Sequence, residues 1–228
     1  ERAPIARQIV TRANKSIAEF GPIFSALGMD GGMDHDKIRA NMDARADSTP
    51  AAEEQRMALR AAIAAKVYEF DAHGVEMNQR YRSDAIVTDG QPEPAFARDA
   101  ELYAQLTTWP GARIPHAWLY PRAGGKVSTL DLCGKGQFTL LTGPGGEAWV
   151  TAAEQASATL GLPIRTYVIG PRRSVEDPAG DWSALREVGD SGAVLVRPDH
   201  HVAWRSTAMA TDPYTEVMRV MRQILSLS

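Results

Sequence analysis

The first candidate for chemistry is a glycine-rich turn that precedes a predicted helix. It reads Thr142-Gly143-Pro144-Gly145-Gly146. Backbone amides and the positive end of a helix dipole favour anions at such a turn, so it could hold a phosphate group. The turn lacks the Lys-Ser/Thr pair of a P-loop, and its glycines do not have the Gly-x-Gly-x-x-Gly spacing of a dinucleotide site. The favoured interpretation is therefore a plain turn.

Thiol, metal and nucleophile chemistry have little support. Dithiol redox chemistry needs two sulfurs, and Cys133 is the only cysteine, so we expect a small, semi-buried side chain there. His200 and His201 are neighbours on a predicted strand, where their side chains point to opposite faces and cannot share a metal. The segment Asp34-His35-Asp36 is interpreted as a solvated helix start rather than a ligand group. No serine or cysteine has an adjacent base and orienting group.

Arg113 and His116 are the two candidate interaction residues. Both lie in the segment Pro110-Gly111-Ala112-Arg113-Ile114-Pro115-His116. In one interpretation they bind a partner surface or an anionic group. In the other, which we favour, the prolines and Gly111 form a stiff connector and His116 hydrogen-bonds to backbone.

Composition narrows the class of protein. The chain has 228 residues, of which 44% are hydrophobic and 23% charged, and this is typical of a globular protein with one large or two small cores. A net charge of -3 offers no basic footprint, so we expect neither nucleic acid nor membrane as a partner. The single cysteine indicates a reducing cytoplasm. The first residue is Glu rather than Met, which suggests a piece of a longer protein.

Residues 1–70 have helical periodicity. Ile5, Ile9, Ile17 and Phe20 form one apolar stripe, and we expect this helix to stop at Gly21-Pro22. A second helix is predicted over residues 34–46. A third begins at Thr49 as N-cap with Pro50 in its first turn. Its predicted core face consists of Leu59, Ile63, Val67 and Phe70. Residues 75–87 are predicted to be extended, and residues 88–92 with Pro94 to form a linker.

After this linker, strands and helices alternate at short spacing. Strands are predicted at residues 127–132, 137–141, 164–169, 193–196 and 201–206, and helices at residues 147–160, 182–188 and from Pro213, with Asp212 as N-cap. Gly161 is the expected C-cap of the first of these helices. The last two strands should pair through a turn at Pro198-Asp199. This order of elements is that of a thioredoxin-like domain.

The sequence therefore predicts an α/β protein with a helical N-terminal segment and a thioredoxin-like domain without a Cys-x-x-Cys motif. We place the helical segment with its linker at residues 1–90 and the thioredoxin-like domain at residues 91–228. Active thioredoxins carry a proline before the third core strand, where this chain has Ser191-Gly192-Ala193. The redox chemistry of that fold is accordingly not expected here.

A family resemblance rests on several segments taken in order. They are Pro110–Leu119, Ser128–Leu132, Phe138–Gly143, Gly180–Trp182, Val194–Asp199 and Val202–Arg205. These segments resemble the C-terminal part of the FAD-dependent phenol hydroxylases, single-component aromatic monooxygenases that include chlorophenol monooxygenases. The opening Glu1-Arg2-Ala3-Pro4 resembles the short sequence that follows the last flavin-contacting motif of those enzymes.

The resemblance implies a parent enzyme in which NAD(P)H reduces FAD and a phenol is hydroxylated with O2. The catalytic, cofactor-binding and substrate residues of such enzymes belong to domains that precede the matched part, so none is carried over to this sequence. We expect this chain to bind no FAD by itself, since it has no dinucleotide fingerprint. Its expected partners are the enzyme's own flavin and substrate domains and a second copy in a homodimer. A chlorophenol is the first choice of substrate, followed by hydroxyphenylpropionates and polyketide phenols.

Two other interpretations remain open at this point. One is a free-standing thioredoxin-like interaction module without redox activity, and the other is a thiol oxidoreductase. Apolar residues on more than one face of the N-terminal helices favour the monooxygenase interpretation. Ile9, Val10 and Phe24 are among them, together with Met29 and Met33 in the following turn. One small domain cannot cover them all, so an exposed apolar patch is expected.

Overall fold

A computed structural model describes residues 2–29, 31–32 and 34–227. The chain forms two compact units. The helical unit comprises the residues up to Glu76 together with Arg98–Ala104, and the sheet unit comprises Met77–Ala97 and the chain from Gln105 onwards. The division into domains after residue 90 stays a prediction. Glu1 of the opening segment and Met33 of the expected apolar patch lie outside the described residues.

The described residues up to Met77 form six helices. They are α1 (Arg2–Ala18), α2 (Phe20–Ala26), α3 (His35–Ala44), α4 (Pro50–Ala65), α5 (Val67–Phe70) and α6 (His73–Met77). The predicted cap at Thr49 is present, because its side chain accepts a hydrogen bond from Ala52 N. Asp34, which was predicted as the first residue of the second helix, is instead its N-cap and accepts a hydrogen bond from Lys37 N. These caps satisfy amides that have no partner within the helix.

Two predictions for this unit are wrong. The first helix was expected to stop at Gly21-Pro22, but α1 ends at Ala18 and Pro22 lies in the first turn of α2. A proline is tolerated there because the first amides of a helix have no intrahelical partner anyway. Residues 75–87 were expected to be extended, yet α6 covers their first part.

The core face predicted for the third helix is also wrong. Ile63 is 55% exposed and Phe70 is 74% exposed, whereas the buried residues of α4 are Ala52 and Ala62. Small alanines let α2 and α4 pack closely, and the larger apolar side chains are left on the outside. The pattern of the sequence identifies an apolar face correctly, but it does not say what that face contacts.

The inward face of α1 is polar instead. Lys66 is 5% exposed, and its Nζ donates to the backbone oxygen and to Oγ of Ser16, each at 2.9 Å. The same ammonium lies 4.1 Å from the ring centroid of Phe20 and pairs with Glu69. Gln8 donates to Glu101 at 2.8 Å, and Arg12 also pairs with that carboxylate. Hydrogen bonds and ion pairs therefore hold α1 in this unit, while several of its apolar side chains face solvent.

The sheet unit contains all seven strands among the described residues. Its elements are β1 (Trp118–Pro121), β2 (Val127–Ser128), α7 (Thr129–Leu132), β3 (Phe138–Thr142), α8 (Glu147–Leu160), β4 (Ile164–Val168), β5 (Val175–Glu176), α9 (Asp181–Leu185), β6 (Ala193–Val196), β7 (Val202–Ser206) and α10 (Pro213–Ile224).

The main sheet has the strand order β4-β3-β6-β7. Strands β3 and β4 are parallel, whereas β6 is antiparallel to both β3 and β7. This is the arrangement of a thioredoxin-like sheet, and it confirms the predicted fold class. A smaller sheet has the order β2-β1-β5. The strand β1 was not predicted.

Apolar side chains cover both faces of the main sheet. One core contains Leu140, Leu195 and Trp149 of α8 with Met221 of α10, all no more than 1% exposed. The other core contains Leu141, Val194 and Trp182 of α9. Burial on both sides explains why β6 is a continuous apolar run rather than an alternating pattern. The predicted caps of these helices are confirmed, with Gly161 in the left-handed region at φ 63° and Asp212 accepting from Thr215 N.

Two further strand predictions need correction. The predicted strand at residues 127–132 is a two-residue strand followed by the helix α7. Ser128 and Asp131 form a capping box there, which starts a helical turn within an apolar run. His200 and His201 precede β7 instead of lying on it, and His200 occupies the left-handed region at φ 68°.

Candidate interaction surface

The turn between β3 and α8 corresponds to the position of the thiols in thioredoxins. Residues of this turn pack against neighbouring backbone. Thr142 Oγ1 donates to the Gly192 carbonyl oxygen at 2.6 Å. A Cβ at Gly143 would lie 2.6 Å from the carbonyl oxygen of Asp190. Glu147 supplies a carboxylate in the first turn of α8 and pairs with Arg173 at 2.6 Å. The turn therefore packs against its neighbours, which supports a plain turn over a phosphate cradle.

Cys133 is fully buried, more deeply than the semi-buried position expected from the sequence. Burial raises the pKa of its thiol to about 12. The thiolate is the reactive form of cysteine, so the thiol is protonated and unreactive at neutral pH.

The two adjacent histidines contact different parts of the sheet unit. His200 Nε2 lies 3.1 Å from the carbonyl oxygen of Leu130. The His201 ring packs edge-on against Tyr81 with centroids 4.6 Å apart, and burial lowers its pKa, while Asp199 acts in the opposite direction. Among the residues that the structure describes, no group of three or more His, Cys, Asp and Glu side chains could hold a metal ion.

Arg113 lies in a connector that pairs with the start of β7. Gly111 N donates to the Val202 carbonyl at 2.8 Å, and Arg113 forms an isolated bridge with His201. Gly111 has a φ of 100°, and a Cβ there would lie 2.3 Å from the carbonyl oxygen of Tyr81, so glycine is required. The Nε of Arg113 is buried without a hydrogen-bond partner in the described part of the chain. A functional role for Arg113 stays a prediction.

His116 is exposed, and its partner differs from the expected one. Its Nδ1 lies 2.7 Å from Oγ of Ser128, so the predicted hydrogen bond to backbone is wrong. Ser128 Oγ also accepts from Leu130 N at 3.0 Å as the cap of α7. This hydroxyl therefore holds both a helix start and the histidine ring, and it is itself buried. The pair is consistent with positioning of His116 rather than with a nucleophile.

His116, Trp118 and Tyr120 form what we call the aromatic row. Burial alternates along β1 and the two residues before it, so His116, Trp118 and Tyr120 are exposed while Ala117 and Leu119 are buried. Trp118 is 40% exposed and Tyr120 is 39% exposed. The His116 and Trp118 rings pack edge-on with centroids 4.7 Å apart. The alternation His-Ala-Trp-Leu-Tyr is the signal in the sequence that indicates this strand, which was not predicted.

Lys126 completes this surface from the neighbouring hairpin arm. Its Nζ lies 4.1 Å from the Trp118 ring centroid, within the range of a cation–π contact. Ser128 therefore positions His116 at one end of the row, and Lys126 lies over Trp118 at its centre.

The sheet unit also contains an ion cluster centred on the buried side chain of Arg205. Arg205 Nε donates to Asp89 at 2.6 Å and its Nη1 donates to Glu187 at 2.7 Å, with both Arg205 and Asp89 side chains under 10% exposed. Glu187 also accepts from Thr107 Oγ1 at 2.7 Å and from Thr108 N at 3.0 Å. Every charge therefore has a partner, which is the condition for keeping such groups buried. No local pattern in the sequence pairs these residues, which are far apart along the chain.

The fold and these contacts define a thioredoxin-like domain without the thiol pair, preceded by helices. Residues 107–226 match the family described as aromatic-ring hydroxylase, C-terminal, and the chain belongs to that family.

Similarity to individual proteins extends over the whole chain. It is 48% identical over 227 residues to the 2,4-dichlorophenol 6-monooxygenase of Delftia acidovorans, covering 100% of this chain and 39% of that protein. It is 45% identical to the phenol 2-monooxygenase of Pseudomonas sp. (strain EST1001), covering 97% of this chain and 36% of that protein. The crystal structure of the flavin-dependent monooxygenase PieE with FAD and substrate superposes with a TM-score of 0.89 and 47% identity, covering 100% and 39% of the two chains.

These comparisons confirm the family resemblance and the fold class predicted from the sequence. The chain corresponds to the C-terminal region of flavin-dependent phenol-type monooxygenases and spans about two-fifths of the length of the relatives that it matches. Within the described residues, no helix has the length and the apolar character needed to cross a membrane.

Proposed function

We propose that this chain is the non-catalytic C-terminal part of an FAD-dependent monooxygenase that hydroxylates a phenol with NAD(P)H and O2. The observation that carries the proposal is the 48% identity to a 2,4-dichlorophenol 6-monooxygenase along the chain. In such an enzyme bound FAD supplies the redox and oxygen chemistry. A phenol or chlorophenol is the substrate class that the names of the relatives favour.

The described residues of this chain do not fit FAD themselves. The turn before α8 is filled by its own contacts, with Thr142 and Gly143 packed against residues 190–192. Its spacing does not match a dinucleotide-binding motif. Cofactor and substrate binding are therefore assigned to the flavin and substrate domains of the parent enzyme, which we place in the cytoplasm.

The helical unit has a structural role in this proposal. Ile9, Val10, Ile17 and Phe24 are all more than 40% exposed, and so are Met57, Ile63 and Phe70. Large exposed apolar groups on several helices of one small unit favour an interface. We assign this surface to packing against the flavin domain, and we expect the parent enzyme to be a homodimer.

A chimera tests the proposal. The C-terminal region of the Delftia 2,4-dichlorophenol 6-monooxygenase is replaced by this chain, and both the chimera and the 228-residue chain are purified. We expect the chimera to retain FAD and to consume NAD(P)H and O2 with 2,4-dichlorophenol, and the chain alone to be colourless and inactive. A chimera that folds but retains no flavin, or a chain that copurifies with stoichiometric flavin, would contradict the proposal.

A free-standing interaction module remains the second candidate. The exposed aromatic row is the observation that favours it, because such a surface also suits a separate partner. The chimera distinguishes the two candidates, since an independent module has no reason to restore a flavoenzyme.

A further inference from the structure

We propose that the aromatic row of His116, Trp118 and Tyr120 is the surface through which the sheet unit docks on the flavin-binding part of its own polypeptide. This inference rests on the proposed function and adds the site of contact. It concerns a surface of the sheet unit, separate from the apolar side chains of the helical unit.

The row consists of side-chain types that are typical of protein interfaces. Tyrosine and tryptophan provide large amphipathic contact areas and are enriched among the residues that dominate interface energetics. Here two such side chains, each about two-fifths exposed, stand at alternate positions of one strand beside an exposed histidine. Large aromatic side chains are ordinarily well buried, so this concentration on one sheet face favours an interface.

Contacts within the sheet unit already position two members of the row, His116 and Trp118. Leu119 is fully buried beneath it, and β1 is paired on both sides, with β2 and with β5. Ser128 holds the His116 ring at 2.7 Å, and Lys126 lies 4.1 Å from the centre of Trp118. Side chains that are already ordered lose little conformational entropy on association, and this raises affinity.

The length of the relatives indicates what the row contacts. The relatives that this chain matches along its length all extend well beyond the matched region, which covers only 36% to 39% of them. A surface on a tethered segment meets the rest of its own chain at an effective concentration in the millimolar range. The same-chain flavin part is therefore favoured over a second copy. The exposed cation Lys126, which lies over the Trp118 ring, indicates that the occupant offers carboxylates or carbonyl oxygens.

Hydroxyl-radical footprinting with mass spectrometry tests this surface on the 228-residue chain and on the FAD-loaded chimera. In the isolated chain we expect Trp118 and Tyr120 to be oxidised readily. In the chimera their oxidation should fall to the level of Trp182, which is 1% exposed. Phe96, which is 38% exposed in the same unit, is the matched control and should stay reactive.

A pair of variants adds a second readout. Trp118→Ser removes a side chain that is 40% exposed, so it should lower the unfolding midpoint of the isolated chain slightly and that of the chimera by several degrees more. Phe96→Ser, with similar exposure, should affect both proteins equally. An equal effect of Trp118→Ser on both proteins would show a role in the fold alone and overturn the inference.

The remaining outcomes separate the inference from the proposed function. An active, FAD-loaded chimera in which Trp118 and Tyr120 stay reactive overturns the inference and leaves the proposed function standing. Protection that appears in the isolated chain as its concentration rises assigns the row to a second copy, and this overturns the proposed occupant. A folded chimera without flavin overturns the proposed function and the inference together.

Discussion

At the scale of single residues, Arg205 and Asp89 form a buried ion pair, and Glu187, whose side chain is 38% exposed, binds the same guanidinium. The guanidinium satisfies two carboxylates from distant parts of the sequence, and Thr107 and Thr108 complete the shell of Glu187. Removing one member of such a cluster leaves an uncompensated buried charge, which costs more than the pair itself contributes.

Replacing Arg205 by alanine should lower the free energy of unfolding by about 3 to 5 kcal/mol, because Asp89 then stays buried without its cation. Urea unfolding of the chain gives the measurement. The matched control is Arg219→Ala, which breaks an ion pair with Glu216 that is half exposed. That change should cost no more than about 1 kcal/mol. Equal losses for the two variants would contradict the account of the cluster.

The lowered pKa of His201 predicts that the stability of the chain depends on pH. Burial lowers its pKa below the usual 6.5; Asp199 opposes this shift and Arg197 reinforces it. The unfolded chain therefore binds a proton first as pH falls, so the stability that His201 contributes is present above about pH 6.5 and is lost below it. We expect the wild-type chain to lose more stability between about pH 7.5 and pH 5.5 than His201→Gln does. His35→Gln, at an exposed position, is the control and should behave like the wild type.

At the scale of elements, local sequence signals predicted most of the strands and helices of the sheet unit. The apolar run of β6, the Pro198-Asp199 turn and the start of β7 predicted an antiparallel hairpin, and Leu195 is paired with Trp204 in it. The strand predicted through residues 129–132 failed because Ser128 and Asp131 start a helix there. In a short apolar run periodicity cannot separate strand from helix, so the cap decides.

Leu195 provides the prediction at this scale. It is 1% exposed in a core between the sheet and the helices α8 and α10, so Leu195→Ala should lower the free energy of unfolding by about 2 to 5 kcal/mol. Ile17→Ala removes apolar atoms from a side chain that is 75% exposed and should cost less than about 0.5 kcal/mol. Chemical denaturation measures both variants, and a cost at Ile17 as large as at Leu195 would contradict the burial described here.

At the scale of the whole molecule, the exposed apolar side chains of the helical unit predict association. The double variant Ile17→Lys/Phe70→Lys should bind less of a hydrophobic dye than the wild-type chain and show a lower average mass by light scattering, because it removes two of the most exposed apolar groups. Ala158→Lys, at an exposed position of α8, is the control and should change neither value. A wild-type chain that is strictly monomeric and binds no dye would contradict this expectation.

The sequence by itself determined the elements whose signals are local. The caps at Thr49, Gly161 and Asp212, the amphipathic α10 and the buried runs of β3 and β6 all follow from the conformations and burial that those residues favour. The glycine spacing likewise argued against a dinucleotide site without any structure.

Only the tertiary structure decided which faces are covered. Periodicity marks Ile63 and Phe70 as an apolar face, but burial depends on what lies opposite, and in this chain nothing described covers them. The pairing of Asp89 with Arg205 and the exposure of Trp118 and Tyr120 likewise depend on residues that are distant in sequence or on strand pairing. Contacts of this kind arise from the packing of residues that are distant in sequence, so a local sequence pattern does not predict them.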